Sequence, residues 1–598
     1  CPNPYENQNL EIHLAGATEE NFMVGDLYET TAVFLPSKST CSLGPCEQLP
    51  IGYLQFKATV RVQGMSMAYH LAFENFPLSL VPQAKPTMDE RKQQAFEVLA
   101  RYGERNANRA VAILHAGGPQ DEFEHILRRQ ITFINKRSDC SDFYLSYFPH
   151  ILRTFADHPY VTEDLKEEMK HCLLNFRYWH DEPGDDAMWF YSENHALMFH
   201  VCQLLAGELY PDEVFTNSGM TGARMQEKAV GLLRPWFETF FAIGFTEWNS
   251  PPYLPIDALG FASLYAQTSN QEMKDLARKA MDSIYYILAI NSLDGIFCTT
   301  AGRTYPKELF GNNSNCPSFI NWIGYGIGNT SHAGKGVTAL CFSDYQAPQE
   351  YRQFCQVPKG KALISQSTHG YNGHADVYVC KTSCSLLSSA NNFRVGERGF
   401  QENPIHLIFS ATEQVWINHP GEHNLFGHAR PSYWAGNGTL PRVNQYENFA
   451  CVVFNNDPAH PVDFTHVYLP TMEFASFERR GNWLFAASHN GGYVGVYCSQ
   501  YLEPAGYGPN KEREFIAAGR KAVYLLRVGS QCSFGSFASF IKAMLDSDLS
   551  ATDQAFVFED PSLGRLEGGW DASLEVQGQT IKYNNFDPVG TNLWYVER

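Results

Sequence analysis

Charge is what this 598-residue chain has little of: Asp, Glu, Lys and Arg make up 18% of it. What charge there is leans acidic, 45 basic against 64 acidic side chains, for a formal net charge of −19. That balance argues against a nucleic-acid binder, which needs a basic face to displace counterions. The chain also lacks any apolar run of about 18 residues, so no segment reads as a membrane span. Cysteine is present at 15 residues, but no C-x-x-C pair is matched by a second, which weighs against a zinc-finger module. There is no P-loop and no His-Glu-x-x-His. Gly529-Ser-Gln-Cys-Ser-Phe-Gly misses the spacing of a nucleophile elbow.

Apolar residues are plentiful at 44% and aromatics at 14%, including 31 Tyr and 42 Phe. Such a chain buries large cores, and its length corresponds to two to four domains. An aromatic surplus serves either dense cores or sugar-stacking surfaces.

The texture changes twice along the chain. Residues 1–85 are β-rich; Tyr53-Leu-Gln-Phe-Lys-Ala-Thr-Val-Arg-Val alternates with period two. Thr87-Met-Asp-Glu90 is a capping-box pattern that opens a helical stretch. Amphipathic blocks are predicted at about 120–136, 143–156, 163–179, 186–208, 222–243, 256–268 and 271–290. Helices are expected to stop near 295, a loop-rich stretch to follow, and strands to run from about 361 to the end. The predicted class is multidomain α+β: a small N-terminal β region (1–85), a helical domain (86–345) and an antiparallel β-sandwich domain (346–598). A run of consecutive helices closes as an α/α toroid or stays open as a solenoid, and helix count does not choose.

Four segments concentrate chemistry. Residues 181–200 place Trp189, Tyr191, Glu193, Asn194, His195 and His200 in what reads as the first half of a buried helix. Residues 244–257 carry Glu247, Trp248, Asn249 and Tyr253 between two helical blocks, with Pro251 and Pro252 fixing the backbone before the tyrosine. Residues 368–376 carry His369, His374 and Asp376; His374 and Asp376 project from one face of a strand, as a metal pair or a carboxylate-oriented His. Residues 428–445 hold Arg430, Tyr433, Trp434 and Arg442 in a Gly/Pro-rich loop, suited to stacking on an acidic sugar and pairing with its carboxylate. Arg303 and Tyr305 offer a similar cation and phenol. Carboxylates at Asp185, Asp186, Glu193, Glu247 and Asp257 also supply the pair that a glycoside hydrolase needs.

Sequons at Asn312, Asn329 and Asn437, an initial residue other than Met, and cysteine pairs Cys41/Cys46 and Cys380/Cys384 together predict a processed, secreted extracellular glycoprotein with some disulfides.

A helical domain followed by an antiparallel β domain, with Asn194-His195 on a helix, Tyr253 in a later loop and His374-Ala-Asp at the start of the β domain, resembles the heparinase II/III-like and alginate-lyase-like polysaccharide lyases over roughly 90–450. The resemblance implies an α/α toroid and β-elimination beside a uronic acid. It implies that Asn194 and His195 neutralise the uronate carboxylate, that Tyr253 acts as base, acid or both, and that His374 is a complementary base or second clamp. Trp189, Tyr191, Glu193, Glu247, Trp248, Asn249, Arg303, Tyr305, His369, Arg430, Tyr433 and Trp434 would line the substrate path. The expected partner is a uronate-containing poly- or oligosaccharide, with no cofactor required and a structural metal ion in the β domain as an open point. Glu193 departs from the pattern, since a carboxylate there repels a uronate. A toroid hydrolase acting on a glucuronide is the alternative, and a non-catalytic carbohydrate-binding protein a second one.

Overall fold

The computed structural model describes residues 9–18, 28–36, 38, 41, 42, 44, 45, 49, 52–62, 65–75 and 82–597, except 312–314, 371–373, 426, 507–509, 585 and 591. Four antiparallel strands come first: Leu10–Thr18, Tyr28–Phe34, Gly52–Val62 and Met65–Asn75, with the second strand at one edge and the first and third paired beside it. Leu54, Phe56 and Ala58 are buried on one face with Leu14, as the period-two alternation requires.

Twelve α-helices follow among the described residues: α1 (Met88–Tyr102), α2 (Ala107–Ala116), α3 (Gln120–Asn135), α4 (Ser141–Leu145), α5 (Phe148–Thr154), α6 (Glu163–Asn175), α7 (Glu193–Leu209), α8 (Gly222–Ile243), α9 (Leu254–Gln267), α10 (Gln271–Asn291), α11 (Cys316–Tyr325) and α12 (Val337–Phe342). Thr87 caps α1 in the capping box that the sequence predicts. The helical run closes on itself, because α1 packs against both α11 and α12. Two buried cations of α1 seal the join. Arg91 donates to the Ile323 and Gly324 carbonyls at 2.7 and 2.8 Å. Lys92 donates to those of Ser343 and Tyr345 at 2.9 and 2.7 Å. The Arg91 carbonyls are in the last turn of α11, and those of Lys92 lie at and just past the end of α12, where a positive charge suits the helix dipole. Closure decides for the toroid over the open solenoid.

Two expectations need correction. The block at 186–208 starts late: α7 begins at Glu193, with Ser192 as N-cap accepting from His195 N at 3.3 Å. Helices also do not stop at 295. After a short hairpin, Ser292–Leu293 with Ile296–Phe297, α11 and α12 complete the ring.

The second half is a sandwich. Its larger sheet runs from Leu502–Pro504 at one edge through Phe464–Tyr468, Ile405–Ile408 and Ala375–Lys381 to Lys361–His369, where the C-terminal strand Leu593–Glu597 pairs at the other edge. Its smaller sheet runs from Arg442–Tyr446 to Ser476–Arg480. Between them lie Leu407, Val415, Ile417, Val452, Phe454, Val494 and Leu526. The outer face of the larger sheet gives Val377, Val379 and Ala390 to the helical core. Lys381 crosses that seam to the Ala289 and Ser292 carbonyls at the end of α10. The smaller sheet carries a third layer that the sequence reading lacks: Phe540, Ile541 and Met544 of helix Phe537–Leu545, with Phe556, Phe558 and Leu566 of a further small sheet.

The expectation of disulfides is overturned for the described residues. No disulfide joins the 13 described cysteines, and ten of them, Cys380 and Cys384 included, are buried. They behave as small apolar core residues, so they carry no argument for an oxidising compartment. Thiol titration of unreduced protein in guanidinium is expected to give at least 13 thiols per chain; a deficit of two or more would overturn this. Of the sequons, Asn312 lies outside the described residues and Asn329 is half-buried. Asn437 is corrected: it is fully buried, accepts from His419 N and donates to the Glu402 carbonyl, leaving no room for a glycan in the folded chain.

Candidate active site

The first turn of α7 is the anchor. Glu193 is half-buried, with Oε1 lacking a hydrogen-bond partner among the described residues. Its Oε2 accepts from Thr246 N at 2.5 Å, from the Thr246 hydroxyl and from Glu247 N at 3.3 Å, which draws the loop before α9 onto α7. Burial, partly offset by the Thr246 hydroxyl and strengthened by Glu247, pushes the Glu193 carboxyl up to about 7.

Asn194 is buried beside it, with Ser192 Oγ donating to its Oδ1 at 3.1 Å and its Nδ2 donating to Glu247 Oε2 at 3.2 Å. The other Glu247 oxygen accepts from Arg303 Nη1 at 3.4 Å. Arg303 Nη2 reaches the Tyr305 hydroxyl at 3.4 Å, which shares a 2.8 Å hydrogen bond with the Tyr253 hydroxyl. The Arg303 guanidinium lies 5.4 Å from the Tyr253 ring centre and 4.9 Å from that of Phe400. Burial and Tyr305 push the Tyr253 phenol up, against the pull of Arg303. Residues from α7, the loop before α9 and the 301–305 segment thus form one continuous polar chain. Asp257, one turn into α9, is buried nearby, and burial with Glu193 and Glu247 holds its carboxyl well above the usual range.

His195 points elsewhere. Its Nδ1 meets Asp142 Oδ2 at 2.9 Å, and its ring stacks on Phe143 at 4.6 Å. Burial lowers the imidazole, but Asp142 outweighs it and raises the ring to about 10. Asp142 is completely buried on α4; nothing in its sequence surroundings marks it, because its partner lies 53 residues away.

Several residues expected to meet substrate are core instead. Trp248 is buried edge-on against Phe393 at 4.7 Å, with Gly302 so close that a Cβ there would sit 2.5 Å from the indole. Asn249 is buried on Asn291. Tyr433 and Trp434 do not stack on solvent-side sugar: Tyr433 donates to Glu514 at 2.6 Å and Trp434 stacks on His466 at 4.0 Å, both within an aromatic cluster. His369 is buried with its Nε2 3.0 Å from Ser367 Oγ, burial lowering it to about 4. Its Nδ1 packs so close to Gly244 that a Cβ there would lie 2.4 Å away. His200 is likewise buried and lowered, to about 3, by burial and Lys228.

Trp189 and Tyr191 stay open, 55% and 72% exposed, as an edge-to-face pair at 5.6 Å on the segment leading into α7. Arg430 is exposed, and its guanidinium lies 5.7 Å from the Tyr305 ring centre. His374 is exposed just before its strand, while Asp376 is taken by the Thr368 hydroxyl at 2.7 Å. Among the described residues, no third metal-ligating side chain joins them.

No family model and no curated protein matches the chain. A solved structure described as a heparinase III is similar at TM-score 0.29 and 10% identity, over 86% of this chain and 86% of that one. An Escherichia coli alpha-2-macroglobulin activated by porcine elastase aligns at TM-score 0.21 and 12% identity, over 99% of this chain and 54% of that chain. Scores this low decide neither fold nor activity.

Proposed function

We propose that the chain is a polysaccharide lyase that cleaves beside a uronic acid by β-elimination. The observation that carries this reading is the Asn194–Glu247–Arg303 bridge: an amide and a guanidinium converge on one carboxylate, 3.2 and 3.4 Å away. A uronate needs that pair of donors, because its C5 proton becomes acidic when the adjacent carboxylate is neutralised and the developing enolate is stabilised. Glu247 keeps the two donors aligned before substrate arrives. Asn194 and Arg303 take the neutralising role, and His195, turned to Asp142, is a positioning residue.

Tyr253 is the acid and base. As phenolate it takes the C5 proton; the C4–O4 bond breaks as the C4–C5 double bond forms, and the proton passes from Tyr253 to the leaving O4. Arg303 pulls toward the phenolate, and the Tyr305 hydroxyl holds the Tyr253 oxygen in place. Trp189 and Tyr191 offer a stacking surface beside the α7 N-terminus.

The hydrolase reading draws on Glu193, held near 7. Glu193, however, is tied through Oε2 to the Thr246 and Glu247 backbone, leaving one oxygen without a partner, and Asp257 is buried. The test is a panel of alginate, glucuronan, glycosaminoglycans and plant glucuronides, followed by ultraviolet absorbance of unsaturated ends and by reducing ends. Both signals are expected to rise together on at least one polymer. Reducing ends without absorbance would sink the lyase reading. Glu247→Gln is expected to slow the lyase about tenfold by loosening Arg303, whereas loss of a hydrolytic acid or base costs about 10²–10⁴-fold.

A further inference from the structure

His195 also belongs to a second constellation that the elimination chemistry does not use. Ligand atoms of Asp139, Cys140 and His195 all lie within 4.8 Å of one another. We infer that these three side chains bind a divalent cation of the zinc class.

The donor set fits such an ion: one thiolate, one imidazole and one carboxylate are its ordinary ligands, and three protein ligands leave a fourth position for water or a sugar oxygen. The imidazole is already oriented for the task. Asp142 holds Nδ1 at 2.9 Å, which leaves Nε2 to face the ion, the arrangement in which a carboxylate behind a histidine fixes its tautomer and strengthens it as a ligand. Stacking on Phe143 locks the ring plane. Asp139 is fixed too, its Oδ1 accepting from Cys140 N at 3.1 Å and from Trp189 N at 3.2 Å. Cys140 adopts a left-handed backbone, φ 67°, unusual for a residue with a Cβ. Burial grades from the buried His195 through half-buried Cys140 to exposed Asp139, so the site opens to solvent on one side. Trp189, whose N–H is bonded to Asp139, belongs to the proposed stacking surface, which links the ion to that surface.

The site does not depend on the elimination chemistry, and its test does not use activity. Full-length protein is stripped with chelator under reducing conditions and titrated with Co²⁺. One equivalent is expected to bind with a thiolate-to-cobalt charge-transfer band, displaced by Zn²⁺. Cys140→Ser is expected to abolish the band and Asp142→Asn to weaken binding about 10–100-fold, while Cys532→Ser, at an exposed thiol, leaves both unchanged. Absence of the band in the wild-type chain, or its survival in a folded Cys140→Ser chain, would overturn the site. A second measurement uses the wild-type chain alone: Zn²⁺ is expected to protect Cys140 from iodoacetamide in peptide mapping. Alkylation that Zn²⁺ does not slow would identify a bare thiol–imidazole pair instead and overturn the metal site.

Discussion

Tyr253→Phe is expected to lower the rate of unsaturated-product formation about 10²–10⁴-fold, the usual worth of a positioned general acid or base. The substitution removes one oxygen and leaves the ring. The Arg303 guanidinium keeps its place over that ring, and Pro251 and Pro252 still fix the approach to α9. What disappears is the 2.8 Å hydrogen bond to Tyr305, worth about 1 kcal/mol of stability, so the melting transition is expected to move by a few degrees at most. KM is expected to change little, because Asn194 and Arg303 still hold the carboxylate. Tyr305→Phe is the internal comparison: Tyr305 positions the Tyr253 hydroxyl without taking the proton, so its loss is expected to cost about tenfold. Initial rates by ultraviolet absorbance, with circular dichroism for folding, check both. A folded Tyr253→Phe chain that keeps turnover within tenfold of the wild type would remove Tyr253 from the acid–base role.

Local grammar was legible in the sequence, and long-range partnership was not. The Thr87–Glu90 capping box and the Leu54, Phe56, Ala58 alternation depend on neighbours in the chain, and both are present in the structure. Two polar-aromatic segments, 189–195 and 244–257, stood out by density, and they do meet: Glu193 grips Thr246 and Asn194 grips Glu247. Which residue faced which was not readable. Asn194 and His195 are adjacent on a helix, so their side chains diverge by about 100°, one toward Glu247 and the other toward Asp142. Tyr433 and Trp434 sit in a Gly/Pro-rich loop and read as exposed. Their partners His466 and Glu514 come from strands 32 and 81 residues away, and the loop folds inward to meet them. Ring closure had the same character: the carbonyls that Arg91 and Lys92 meet lie more than 230 residues later in the chain, and nothing near the two cations points to them.

The buried thiols set the alkaline limit of the fold. Burial pushes Cys172, Cys316, Cys451 and Cys498 each up to about 12 from an ordinary 9.0. In each case the folded state holds its proton after the unfolded chain has lost it. The stabilisation from keeping these thiols neutral is therefore complete below about pH 9 and is lost as pH rises toward 12. Each group costs about 1.4 kcal/mol per pH unit in that window, so these four remove about 5 kcal/mol by pH 10 and twice that by pH 11. Five other thiols, among them Cys202, Cys298 and Cys341, are raised by burial in the same direction, as are the buried phenols of Tyr147, Tyr178 and Tyr285. Lys381 acts the other way. Burial at the seam lowers it to about 8, so the unfolded chain carries the extra proton between pH 8 and its ordinary 10.5, and that one group favours folding by up to about 3 kcal/mol as pH climbs through that range. A single lysine does not offset nine thiols against a total stability of about 5–15 kcal/mol. The chain is expected to unfold cooperatively between about pH 10 and 11, measured by circular dichroism and tryptophan fluorescence in reductant without oxygen. Replacing Cys451 and Cys498 by Ala is expected to move that midpoint upward relative to neutral-pH stability. A native spectrum persisting at pH 12 would mean that these thiols are not buried as free, protonated groups.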